Sequence, residues 1–167
     1  MKDKLYLAGS LFNEAEVNQR ITEGKMLDGL NKYSIYNPIT APCNDKEGNM
    51  PTSSDIFWGD VKEVLDSKIV DADISNQCDL GVSAELGIMW ACCYLHRLAK
   101  SGKSLEEILD IMKDKKLVAH LSDIRKSTAH KYQGNNIPWG YNQFVIGLIE
   151  DIGVIKDNFS EAFREVF

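Results

Sequence analysis

Four carboxylates crowd a seventeen-residue stretch, DADISNQCDLGVSAELG: Asp71, Asp73, Asp79 and Glu85. Gly81 and Gly87 flank what reads as the start of a helix. A glutamate in the first turns of a helix is stabilised by the helix dipole, which is the structural reading of Glu85. The functional reading comes from place. Glu85 would stand at the end of a strand with Asp79 just before the helix, and Asp60 could enter the same cleft from the preceding helix. Several carboxylates around one pocket supply a nucleophile and a proton donor when their surroundings split their pKa values. That equipment breaks a glycosidic bond through an oxocarbenium-like transition state. The other reactive residues lack such company. His96, His120 and His130 have no metal-ligand spacing, and Cys43, Cys78, Cys92 and Cys93 form no C-x-x-C pair, so they read as reduced thiols. Ser83 has no histidine beside it. With no P-loop and no G-x-G-x-x-G, neither a cofactor nor a metal is expected.

The elements that must position these groups alternate along the chain. Lys4–Gly9 (KLYLAG) is a short apolar run ending in glycine, as in a buried parallel strand. Asn13–Asn31 carries apolar residues at helical spacing. Tyr33–Tyr36 alternates and stops before Pro38, and Thr40–Ser54 is a long loop. A helix is expected from Ser54 to about Ser67 and a strand over Lys68–Ile74. The next helix, Gly81–Leu98, is apolar nearly all round from Ile88, which predicts that most of it is buried. Leu105–Met112 reads as a second short helix and Lys116–Leu121 as a strand. Ser122–Pro138 reads as a polar loop, Tyr141–Ile149 as a helix, and Val154-Ile155 as a last strand. Asn158–Val166 closes the chain as a helix capped by Asn158 and Glu161. Strand–helix alternation argues an α/β fold with a mostly parallel sheet and helices on both faces, the ligand lying beyond the carboxyl ends of the strands.

The 167 residues suit one domain, with 44% apolar and 26% charged residues. Nineteen Lys and Arg against 25 Asp and Glu leave a net charge of −6, which argues against coating nucleic acid or sitting on an anionic membrane. No segment approaches the roughly 18 apolar residues of a bilayer span. The N-terminus runs directly into a strand, and the expected location is the cytoplasm.

LYLAGSLF (Leu5–Phe12), WGD (Trp58–Asp60), VDADIS (Val70–Ser75) and DLGVSAELG (Asp79–Gly87) resemble the nucleoside 2-deoxyribosyltransferase family. SDIRKS (Ser122–Ser127) and PWGYNQF (Pro138–Phe144) are similar to its later segments. The segments follow the family's order over most of the chain, and D-x-G-x-x-x-E-L-G is the most specific. The resemblance implies a flavodoxin-like, three-layer α/β domain over residues 1–167. It also implies that 2-deoxyribose moves between purine and pyrimidine bases through a covalent deoxyribosyl-glutamate. Glu85 matches the nucleophile, Asp79 the substrate-binding aspartate and Asp60 the aspartate that protonates the leaving base. Tyr6 matches a tyrosine close to the nucleophile, and Gly9 and Phe12 lie in the matched opening segment at the substrate. Trp58 reads as a packing residue; by place alone, near a strand end and the Asp60 segment, Phe12 or Trp58 would instead stack on a base. Asn142 falls where the family places an asparagine from a neighbouring subunit, which implies a homo-oligomer with shared sites.

The chain departs from the family pattern at three places. Residues 97–115 exceed the short turn usual there and read as an insertion, and Ser10 stands where many members have proline. Arg125 and Lys126 bring positive charge that a neutral nucleoside does not need. They are either solvated, paired, or placed to hold a 5′-phosphate. An N-glycoside hydrolase of nucleosides or nucleoside monophosphates is therefore the alternative. A nucleotide-binding module without turnover is a third reading, against which Glu85, Asp79 and Asp60 together count.

Overall fold

The structure, a computed structural model, describes residues 2–44, 51–113, 115–121, 130–132, 135–137 and 141–166. They fold into two compact units, residues 1–51 with 58–93, and residues 52–57 with 94–167.

The first unit is a three-stranded parallel sheet in the order β2-β1-β3, formed by β1 (Lys4–Ala8), β2 (Ser34–Tyr36) and β3 (Ile69–Ala72). Helix α1 (Glu14–Gly29) connects β1 to β2, and α2 (Ser53–Asp66) precedes β3. Helix α3 (Leu80–Lys100) follows β3. Side chains alternate across a strand, and β1 shows the consequence. Tyr6 and Ala8 pack with Val64 of α2 and Val82 of α3 in the core. Leu7, one residue out of phase, faces Met26 and Leu27 of α1. Helices therefore cover both faces of this sheet, in the three-layer arrangement of a flavodoxin-like α/β fold. Strand order reverses beside β1, with β2 on one side and β3 on the other, which marks the crevice where such sheets hold ligands.

The second unit pairs β4 (Leu117–His120) in parallel with β7 (Gly153–Lys156). Helices α4 (Leu105–Met112), α5 (Gln143–Ile152) and α6 (Phe159–Val166) belong to it. Phe57 meets Phe144 edge to face, with ring centroids 5.3 Å apart.

Helix starts follow the capping residues. Asn13 accepts from Glu16 N, and Ser104 with Glu107 closes a capping box on α4. For α6, Asn158 accepts from Glu161 N while the Glu161 carboxylate reaches back to Asp157 N. α2 begins one residue earlier than its expected Ser54. Thr52 and Asp55 satisfy each other across the first turn, with Asp55 N donating to Thr52 Oγ1 and Thr52 N to Asp55 Oδ2.

Two expectations are corrected. The polar stretch 122–138 is not all loop: β5 (His130–Tyr132) and β6 (Asn135–Ile137) pair antiparallel. Strands of three residues are too short to show alternation. Helix α3 is also far more exposed than its composition suggested, with only Gly81, Val82 and Glu85 buried and Trp90 60% exposed. A helix turns one stripe to a sheet. Val82, Glu85, Ile88 and Met89 form that stripe, while Leu86, Trp90 and Tyr94 are exposed. No helix among the described residues is long and apolar enough to cross a membrane.

Candidate functional site

Glu85 sits in the second turn of α3, held there by the start of that helix. Asp79 caps it, its Oδ1 accepting from Gly81 N at 2.8 Å and Val82 N at 3.1 Å. Asp79 is thus itself buried and structurally engaged. Once the first turn is fixed, the 3.6-residue repeat points Glu85 along the same stripe as Val82, toward the core face of the sheet.

There it meets Tyr6, the central residue of the central strand and fully buried. The Tyr6 hydroxyl donates to Glu85 Oε1 at 2.6 Å. The other carboxyl oxygen, Oε2, is buried with no hydrogen-bond partner among the described residues. A buried carboxyl with one unsatisfied oxygen carries a real desolvation cost. Burial is accordingly the main reason the Glu85 pKa rises, to about 8. The Tyr6 hydrogen bond opposes that rise, while the negative charges of Asp60 and Asp79 add to it. Tyr6 is pushed well above the ordinary tyrosine value, by burial first and then by the Glu85 charge, so it stays a donor.

Asp60, on α2, is 4% exposed and belongs to a second arm of the same unit. Tyr36 donates its hydroxyl proton to Asp60 Oδ1 at 2.8 Å. The Cys43 thiol lies 3.7 Å from that same oxygen and 3.5 Å from the Tyr36 hydroxyl. The two arms join through their rings: Tyr6 and Tyr36 stack with centroids 5.4 Å apart and planes 22° apart. The reason is sheet register, because Tyr6 on β1 is the direct neighbour of Tyr36 on β2. Glu85, Tyr6, Tyr36, Asp60 and Cys43 thereby form one polar assembly, buried at Glu85, Tyr6 and Asp60 and half-buried at Tyr36 and Cys43. Sequence reasoning missed Tyr36 and Cys43. Tyr36 was read only as a strand residue, although parallel pairing of two short strands with tyrosines was the available signal.

The four-carboxylate stretch divides. Asp71 pairs in register with Leu7, on the face opposite Tyr6. It lines a cavity of about 310 Å³ with Asp73 and Glu23, beside α1. Asp73 belongs to Arg20, whose Nη2 lies 2.7 Å from Asp73 Oδ2 and also bonds Glu23. Arg20 is 1% exposed and donates from Nη1 to Ala8 O. That guanidinium explains Gly9. A Cβ at position 9 would stand 1.8 Å from Arg20 Nη1, so any larger residue collides with the buried arginine.

The remaining expected site residues are Phe12, Asn142 and Arg125. Phe12 is 65% exposed at the turn after β1. That turn is tied to the one after β3, for Asn76 Nδ2 donates to Ser10 Oγ and to Glu16 Oε1. Asn142 caps α5, accepting from Val145 N. Arg125 lies outside the described residues. No group of three His, Cys, Asp or Glu side chains among the described residues has the geometry to hold a metal.

Fold and site together define a flavodoxin-like α/β protein with a buried glutamate held by a tyrosine of its central strand. The chain belongs to the family of the uncharacterized protein UU063 of Ureaplasma parvum serovar 3. The two are 31% identical over 132 residues, which cover 74% of this chain and 78% of that one. A conserved protein from Enterococcus faecalis V583, known from its crystal structure, aligns over 99% of this chain and 98% of its own. That alignment has 22% identity and a TM-score of 0.48. No family model matches the chain.

Proposed function

We propose that the protein is a nucleoside 2-deoxyribosyltransferase with Glu85 as nucleophile and Asp60 as acid–base. The observation that carries this reading is the Glu85 carboxyl: buried, oriented by Tyr6 through Oε1, and carrying a second oxygen that no described residue engages. An orienting bond on one oxygen leaves the other to attack. The resemblance in the segments around Glu85, Asp79 and Asp60 supports the same roles.

In the proposed reaction, ionised Glu85 forms a bond to C1′ of a deoxynucleoside as the N-glycosidic bond breaks. The bonding pair leaves with the base, and Asp60 gives that base a proton. The product is a deoxyribosyl ester of Glu85. A second base then attacks C1′, the ester bond breaks, and its proton returns to Asp60. Two inversions retain the configuration. Asp79 already supports Glu85 by capping its helix, and Asn142, donated by a partner subunit, would place a sugar hydroxyl through its amide nitrogen. Phe12, exposed beside the crevice, offers a face for a base. No cofactor takes part in this scheme.

The test is a chromatographic assay with a deoxynucleoside donor and a different free base. It runs beside controls lacking acceptor and controls with a deoxynucleoside monophosphate. Formation of the new deoxynucleoside supports the transferase. Release of free base without exchange replaces it with a hydrolase, and no consumption of donor removes both.

A further inference from the structure

We propose that Tyr36, backed by Cys43, is the positioning residue of the acid: it fixes the Asp60 carboxyl for proton delivery and touches neither sugar nor base. This rests on the transferase reading and deepens it, since it separates the groups serving the leaving base from those serving C1′.

Proton count supports the assignment. A tyrosine hydroxyl has one proton, and the 2.8 Å bond spends it on Asp60 Oδ1. The Tyr36 oxygen is then left to Cys43 as an acceptor only. The single thiol proton of Cys43 faces two acceptors, the Tyr36 oxygen at 3.5 Å and Asp60 Oδ1 at 3.7 Å. Whichever acceptor takes the thiol proton, Cys43 backs the Tyr36–Asp60 bond, directly at Oδ1 or through the Tyr36 oxygen, and the bond pins the rotation of the Asp60 side chain about its last bond.

The chain is built to admit this contact. A Cβ on Gly59, the neighbour of Asp60, would lie 2.7 Å from Cys43 Sγ and 2.9 Å from Cys43 Cβ. Glycine there lets the one-turn 3-10 helix Pro42–Asn44 close onto α2 and seat the thiol. On its other side Tyr36 is held by its stack on Tyr6, so ring and hydroxyl are both constrained. The arrangement reaches Glu85 through that stack and through the Asp60 charge, which Tyr36→Phe leaves in place.

The consequence is a defect that depends on the leaving group. A neutral purine departs well only if protonated, whereas an N7-methylated purine already carries a positive charge and leaves as a neutral molecule. The experiment compares 2′-deoxyguanosine with its N7-methylated counterpart as donors, for wild type, Tyr36→Phe and Cys43→Ala, with Asp60→Asn as reference. Tyr36→Phe removes only the hydroxyl. It is expected to lower kcat on 2′-deoxyguanosine about 10- to 100-fold, leave KM within about twofold, and change kcat on the methylated donor less than threefold. Cys43→Ala is expected to show the same pattern more weakly, and it stands in for Tyr36→Phe should that variant fold poorly. Equal loss on both donors, or no loss on either, overturns the inference while the exchange activity of the wild type stands. A wild type that cleaves neither donor overturns the transferase reading, and the inference with it.

Discussion

The hydroxyl of Tyr6 stands 2.6 Å from Oε1 of Glu85, in the middle of a parallel sheet. The pair joins the central strand to the helix that follows β3, across 79 residues of sequence. The hydrogen bond opposes the effect of burial on the carboxyl, and burial dominates.

Removing it should make the imbalance worse. Tyr6→Phe leaves both Glu85 oxygens without a donor among the described residues, so the carboxyl pKa should rise further above its present value of about 8. If ionised Glu85 is the nucleophile, kcat/KM at pH 7 should fall about tenfold or more, and the rising limb of the pH–rate profile should move to higher pH. A profile that does not move would exclude Glu85 as the group controlling that limb.

The same carboxyl makes a stability prediction independent of substrate. Its folded-state pKa of about 8 lies above the ordinary value of 4.5. Between those values the native state keeps a proton that the unfolded chain has lost. The contribution of Glu85 to stability is therefore fully present below about 4.5 and is lost as pH rises through about 8. Relative to Glu85→Gln, which cannot ionise, the wild type should lose stability across this window with a slope approaching about 1.4 kcal/mol per pH unit. Urea denaturation of both proteins at a series of pH values measures it. Parallel curves would show that Glu85 is not protonated in the native state.

Gly9 separates two roles by a simple substitution. Gly9→Ala forces a methyl group against the Arg20 guanidinium, and the half-buried ion pairs of Arg20 with Asp73 and Glu23 must shift. Destabilisation of about 1–3 kcal/mol is expected in thermal unfolding. A variant of wild-type stability with poor substrate binding would instead place Gly9 at the ligand.

Asn142→Ala removes a helix cap and should cost about 1 kcal/mol. A cap acts on stability alone. If Asn142 also reaches a neighbouring subunit's substrate, kcat/KM should drop well beyond what a matched cap-restoring variant, Asn142→Ser, shows. Equal activity in all three proteins, with only the melting temperature changed, would confine Asn142 to the cap.

Much of this arrangement is legible in the chain because local rules and the fold agree. The opening strand from Lys4, the Asn158 cap and the helix 105–112 follow from period and capping, and all three stand in the structure. The site was legible only in part. Glu85, Asp60 and Tyr6 lie in recognisable segments, but their grouping depends on the register between β1 and β2, which no local pattern encodes. Tyr36 gains its role only from that register, and Cys43 from a turn that folds back onto α2. Asp71 and Asp73 misled in the opposite direction. Nearness in sequence suggested a cluster, while the two-residue alternation of a strand and the buried Arg20 took them to the far face. The exposure of α3 was missed because composition reports how apolar a helix is, not how much neighbouring surface exists to cover it.

The nucleophile itself is open to direct observation. Mixing the protein with a deoxynucleoside, quenching in acid within milliseconds to seconds, and mapping peptides by mass spectrometry would detect a deoxyribosyl ester. The mass of one deoxyribosyl group should appear on the peptide containing Glu85 in the wild type, disappear when a free base is added in excess, and be absent from Glu85→Gln. An adduct on any other residue, or base exchange persisting in Glu85→Gln, would contradict the role assigned to Glu85.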